Sequence, residues 1–235
     1  MKHCLLVLFA MTLLTGCLTF RDTTPNLLEI PCLQTPLCPD GVLDDACYAV
    51  NPPLIDFGAA GEPERPVPLT AAWLFWTPDA LVCAFSCDDP TPAWAPASSC
   101  ESEVDGQDRV EVFLWPGESS RAYYCIEAAP GDALHDYKAM FYRKLDHDWS
   151  PAGGWIHKAQ CTPTGYTVEM MLPRTAIEGM RMKLEKGFRF RIGLFRADFD
   201  VLNGTPTWIT WVDHGRKPDF HVPTSFGTAV LRHEH

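Results

Sequence analysis

Hydrophobic and polar positions along this chain alternate in short runs with a period of two. That is the mark of strands whose two faces meet different surroundings. The clearest run sets Val110, Val112 and Leu114 against Glu111, Phe113 and Trp115. Pro116 and Gly117 end it, and Ala122 to Ala128 reads as its antiparallel return. Antiparallel strands of this kind pack one face on a core and leave the other wet. The face carrying Glu111 is therefore expected to meet solvent, behind an acidic approach formed by Asp105 and Asp108.

The same period recurs along the chain. Thr70 to Trp76 and Leu81 to Cys87 predict a hairpin around Thr77-Pro78-Asp79-Ala80, with Pro78 preset for the turn. Leu134 to Arg143, Trp155 to Gln160, Tyr166 to Leu172, Phe188 to Ala197, Trp208 to Val212 and Thr228 to Leu231 complete the strands. Only Pro173 to Ile177 fits a helical turn, with proline near its start. About ten short strands with almost no helix predict an all-β fold, a two-sheet antiparallel sandwich of jelly-roll type. The 21 prolines and 16 glycines supply the turns such a fold needs.

The first residues break the pattern. Lys2 precedes an apolar run, Leu5 to Leu14, too short to span a membrane stably. We read residues 1–16 as a signal peptide, residues 17–39 as a proline-rich tether or lead-in, and residues 40–235 as the sandwich. Leu14-Thr15-Gly16-Cys17 resembles the bacterial lipobox, which implies lipidation of Cys17 and a membrane anchor. The resemblance implies a place in the bacterial cell envelope, and Leu18 after Cys17 favours the outer membrane. A net charge of -11 argues against a nucleic-acid partner or an anionic membrane surface. Setting aside Cys4 and Cys17, the ten cysteines fall to an even number, as disulfides in an exported chain require. Cys83 and Cys87 lie on one side of one strand, too far apart to bond each other.

Four segments point to a family. Asp108-Arg-Val-Glu111-Val-Phe-Leu114 resembles the central strand of family 9 carbohydrate-binding modules. The strand ending in Glu127-Ala-Ala-Pro-Gly131, the segment Gly165-Tyr-Thr-Val-Glu-Met-Met-Leu-Pro173 and the ending Asp219-Phe-His-Val-Pro-Thr-Ser-Phe-Gly227 resemble it too. Asp40-Gly-Val-Leu-Asp-Asp-Ala46 is similar to its opening turn. The resemblance implies non-catalytic binding of poly- or oligosaccharide and, in many members, structural calcium. In sugar-binding members two tryptophans clamp a terminal sugar. Here the first position falls near Asp105, which cannot stack, and the second is Phe220, which can. Trp94, presented by a rigid proline-rich loop, is a candidate replacement for the missing ring.

Sugars offer a C–H face ringed by hydroxyls, so a site needs an aromatic ring with carboxylates, amides or Arg around it. The candidates are Glu111, Glu127, Phe220 and Trp94, with His221 and Arg196 near motif positions. Glu111 has a second reading, as a carboxylate paired with Arg109, Arg189 or Arg191. Trp73, Trp76, Trp208 and Trp211 sit on strand patterns and are assigned to the core. Asp88, Asp89, Asp105 and Asp108 are candidates for calcium.

Three rivals stand beside the binding module. One is a structural surface lipoprotein with the fold and no sugar site. Another is a haem-binding electron-transfer sandwich using His135, Met140, Met170 or Met171. The third is a glycoside hydrolase, which would need two carboxyl groups facing each other across roughly 5 to 10 Å.

Overall fold

The computed structural model describes residues 26–97, 100–215 and 218–233; the expected signal peptide and Cys17 lie outside them. Among the described residues, strands pair into a nine-stranded and a four-stranded sheet. In chain order the strands are β1 (Leu27–Ile30), β2 (Gly58–Ala59), β3 (Thr70–Trp76), β4 (Ala80–Asp88), β5 (Arg109–Trp115), β6 (Ala122–Ala128) and β7 (Leu134–Met140). They continue with β8 (Lys144–Asp146), β9 (Ile156–Thr162), β10 (Gly165–Pro173), β11 (Arg189–Asp198), β12 (Thr207–Thr210) and β13 (Gly227–Leu231). The larger sheet runs β1-β13-β11-β5-β6-β7-β8, with β12 joining β11 to β2; the smaller runs β3-β4-β10-β9. Two short helices, α1 (Ala46–Val50) and α2 (Arg174–Gly179), complete the fold, which is the expected all-β sandwich.

The core follows from alternation. Val110, Val112 and Leu114 of β5, Ile126 of β6 and Ile192 and Leu194 of β11 face Leu81, Cys83 and Phe85 of β4 and Val168, Met170 and Leu172 of β10. Each of these apolar side chains contributes about 1.5–3 kcal/mol on burial, so this interior supplies most of the driving force.

The opening turn has a physical anchor. Glu169 is fully buried in β10, and its carboxylate accepts the Asp40 and Gly41 amides at 2.8 Å and the Tyr48 hydroxyl at 2.5 Å. Gly41 holds φ +90, a conformation side chains resist. The lead-in is less free than expected. β1 pairs in parallel with β13, and Ile30, Cys32 and Leu37 are buried.

The wet-face expectation for β5 is overturned: every residue from Arg109 to Trp115 is buried. The outer face of the larger sheet carries a second apolar cluster, Phe113, Trp115, Tyr123, Cys125, Tyr137 and Phe195. Phe220 and Phe226, from the segment leading into β13, pack over it. Gly193 makes this layer possible, since a β-carbon there would lie 2.4 Å from the Phe195 ring.

The disulfide expectation is not met at Cys38, Cys47, Cys83, Cys87, Cys125 and Cys161, which are free thiols. Cys83 and Cys87 point into the inter-sheet core, while Cys125 faces the opposite side of the larger sheet. Burial pushes the Cys83 thiol up to about 12 and Cys87 up to about 11.

Candidate functional site

Register builds the site. On the outer face of the larger sheet, Phe195, Glu111, Glu127 and His135 stand side by side across β11, β5, β6 and β7. Phe113, Cys125 and Tyr137 form the row beneath. The segment carrying Asp219, Phe220 and His221 closes one side, and residues Arg143 to His147 close another. The result is a cleft of about 360 Å³, at the small end of the roughly 300–1,000 Å³ range of ligand pockets.

Arg109 organises the floor. Its Nε donates to Glu127 Oε2 at 2.9 Å and its Nη1 to the Asp105 carbonyl at 2.9 Å. Its Nη2 lies 2.9 Å from Glu111 Oε1. That contact is an ion pair without hydrogen-bond alignment, so Glu111 Oε1 is buried with no donor directed at it. The Tyr137 hydroxyl donates to Glu127 Oε1 at 2.8 Å. Burial, reinforced by the neighbouring Glu127 charge and opposed by Arg109, raises the Glu111 pKa to about 8. Tyr137 is pushed upward by burial and by Glu127.

Three histidines line the cleft. His135 pairs through Nδ1 with Asp105 Oδ1 at 3.1 Å and through Nε2 with His147 Nδ1 at 3.0 Å. Burial opposes its protonation, but Asp105 and Glu127 outweigh this and raise its pKa. His221 shares a 2.7 Å hydrogen bond between Nδ1 and the Tyr123 hydroxyl, and burial, helped by Arg143, lowers its pKa to about 4. Burial works against the Asp219 carboxylate, yet the Tyr142 hydroxyl at 2.6 Å, the His221 amide and Arg143 hold its pKa below the usual range.

The apolar wall is Trp208. Its half-buried ring lines the cleft, with the Arg109 guanidinium 5.4 Å from its centroid and Phe220 edge-on at 5.3 Å. Trp208 was assigned to the core by its strand pattern. Its neighbour Ile209 does fill the interior, which turns Trp208 to the other face.

The structure brings Glu111, Glu127, Phe220 and His221 together, as the motifs implied. Phe220 is only 7% exposed and one face is stacked on Phe195 at 3.9 Å, so it backs Trp208 more than it offers a free ring. Trp94 is not part of the cleft. It is 37% exposed, and its ring lies over Gly131, where a β-carbon would meet it at 2.3 Å. Arg196 is also elsewhere, fully buried among Asp198, Asp89 and the Asp88 carbonyl.

Of the calcium candidates, Asp89 and Asp108 gather with Asp198 beside Arg196. Both Asp108 oxygens accept amides, from Ala93 and Phe199, and burial raises its pKa to about 7. Arg196 pairs with both Asp89 and Asp198, and both Asp108 oxygens are engaged, so no carboxylate of this cluster is left for a hard dication. The haem candidates do not assemble either. Met170 is in the core, and His135 and Met140 point to opposite faces of β7. Glu111 and Glu127 sit on one wall, sharing Arg109, and do not oppose each other as a hydrolase pair would. Trp208, His147 and Tyr137 are site residues that the sequence reading missed, and Arg109 had entered only as a pairing partner of Glu111.

The family model for carbohydrate family 9 binding domain-like proteins matches residues 40–234. The chain belongs to this family. Family 9 modules are non-catalytic binding modules. Among solved structures, a candidate carbohydrate-binding protein from Bacteroides uniformis superposes with a TM-score of 0.68 at 17% identity, covering 88% of this chain and 99% of that one. A family 9 module from Caldicellulosiruptor kristjanssonii in complex with cellotriose gives a TM-score of 0.61 at 18% identity, covering 89% and 95%. One from the same organism in complex with glucose gives 0.57 at 20% identity, covering 88% and 97%. At these identities the likeness establishes the family 9 fold. No curated protein matches the chain in sequence.

Proposed function

We propose that this protein is a non-catalytic saccharide-binding module that takes the end of a poly- or oligosaccharide into the cleft beneath Trp208. The observation that carries the reading is the meeting, in about 360 Å³, of a half-exposed indole with a buried carboxyl group whose Oε1 lacks a hydrogen-bond donor. A sugar supplies both counterparts, a C–H face for the ring and hydroxyl groups for Glu111. Glu127 and Arg109 hold one another and Glu111 in place. The Caldicellulosiruptor relatives, solved with cellotriose and glucose, make glucose-based oligosaccharides the first probes. We further propose that a lipid on Cys17 holds the module at the cell envelope, the outer membrane in a two-membrane host, on the strength of Leu14-Thr15-Gly16-Cys17.

The test is calorimetric titration with cello-oligosaccharides, extended to a glycan array. Trp208→Ala and Glu111→Ala, each folded by circular dichroism, are expected to weaken the best ligand about tenfold or more, the effect of one buried hydrogen bond or one lost stacking surface. If the folded protein binds no saccharide, the reading fails and a structural envelope role replaces it.

A further inference from the structure

The floor of the cleft holds more negative charge than its own cations balance. Glu111, Glu127 and Asp105 supply three carboxylates, and Arg109 supplies one guanidinium. Arg143 does not make up the difference, because it is bound to Asp219 at 2.9 Å. With Glu111 protonated near neutral pH, Asp105 and Glu127 still leave one negative charge beyond Arg109 in a partly desolvated space. Burial of such an excess is costly without a partner.

The geometry around that excess is selective. One oxygen of Asp105, one of Glu127 and one ring nitrogen of His135 all lie within 4.8 Å of one another. Arg109 binds Asp105 only through its backbone carbonyl, so the Asp105 carboxylate is engaged by His135 alone among the described residues. The far nitrogen of His135 is held by His147 at 3.0 Å, with the two rings 19° from parallel. A hydrogen bond on the non-ligating nitrogen is the outer support that fixes tautomer and ring direction in metal-bound histidines. A separate observation marks the same floor as unfinished: Glu111 is 2% exposed, lines the cleft, and its Oε1 has no hydrogen-bond partner.

We infer that Asp105, Glu127 and His135 form a binding site for a divalent transition metal ion of the zinc class, with His147 as the residue that orients His135. One imidazole with two carboxylates suits zinc and its first-row neighbours, whereas calcium takes six to eight oxygens and no nitrogen. The dication would be met by the Asp105 and Glu127 carboxylates. Its remaining positions would open toward the cleft. Binding uses the bare Nδ1 of the neutral His135 ring, whose single proton then sits on Nε2 and is donated to His147 Nδ1, and it involves no redox change. The site does not depend on the saccharide reading, since the metal is measured with no sugar present.

The experiment uses the whole protein, stripped with a chelator and dialysed. Zn²⁺ is titrated by calorimetry, Co²⁺ serves as a visible-absorption probe of its ligand set, and Ca²⁺ is the control. One saturable Zn²⁺ site is expected, with Co²⁺ bands that Zn²⁺ abolishes. Asp105→Ala, at an exposed position, and His135→Ala should each remove that site. His147→Ala, also exposed, should weaken it about tenfold, the usual cost of losing an outer partner. Absence of saturable Zn²⁺ binding overturns the proposal. So does binding that Asp105→Ala leaves unchanged, which would place the ion elsewhere, or binding of Ca²⁺ in preference to Zn²⁺. Asp105→Ala keeps the test decisive if His135→Ala, a buried change, fails to fold.

Discussion

Glu111 shows how one residue can be found in a sequence and still be misjudged. Its place in Val-Glu-Val-Phe marked it as a candidate, and its partner Arg109 was among those expected. Its burial was not foreseen, because period-two alternation says that two faces differ without saying what covers each. That burial makes a prediction. The folded-state pKa of Glu111 is about 8 against an ordinary 4.5. A carboxyl group raised in the folded state contributes stability that is full below its unfolded pKa and is lost as pH rises through its folded one. Glu111→Gln keeps the shape and has no proton to lose. Between about pH 5 and pH 8 the wild-type melting temperature should therefore fall relative to the variant, most steeply around pH 6 to 7, and the difference should level off above about pH 9. Asp108, raised to about 7, pulls the same way, and His221, lowered to about 4, acts in acid. Both are present in each protein and cancel from the difference. A difference that stays flat across this range would mean that Glu111 is ionised throughout.

At the scale of elements, most of the fold was legible and most of the site was not, for the same reason. The hairpin of β3 and β4, the return of β6 on β5 and the turn after Pro173 rest on neighbours in sequence. The cleft rests on register between distant strands. Glu111 meets Phe195 on one side and Glu127 on the other, and Glu127 meets His135, only because β11, β5, β6 and β7 pair as they do. His147 and Trp208 arrive from segments far apart in the second half of the chain, and no local spacing connects them. Gly193 is where element and site meet. Its missing side chain lets Phe195 lie flat, stack on Phe220 and so support Trp208 from behind. Gly193→Ala should cost about 1–3 kcal/mol, the usual penalty for overpacking a tight interior. It should also weaken saccharide binding, through the displaced Phe195–Phe220 pair, although it touches no ligand. Chemical denaturation and titration on the same sample separate the two effects. An unchanged midpoint would show that the Phe195 ring can move aside freely.

For the whole molecule, the extent of the family match and the extent of the folded unit differ, and energetics decides between them. The match begins at residue 40, at the Asp-Gly turn that Glu169 anchors. The sandwich begins earlier. β1 covers the outer edge of β13, which would otherwise present an unpaired strand. Ile30 and Cys32 are packed in the inter-sheet core, and Leu37 joins a smaller cluster with Tyr48 and Phe75. Burial of Ile30 and Leu37 alone is worth about 1.5–3 kcal/mol each, before the ladder to β13 is counted. In a chain of this size about 1 kcal/mol shifts the melting temperature by roughly 2–4 °C. A chain cut to begin at Asp40 should thus melt at least about 10 °C below one beginning at Asn26, or associate through the bared edge of β13. Thermal denaturation with light scattering on the two chains checks this. Equal melting temperatures and a monomeric short chain would return residues 26–39 to the tether that their prolines suggested. A large drop would make residues 26–39 part of the module, with β1 as a strand that the sandwich needs at its edge.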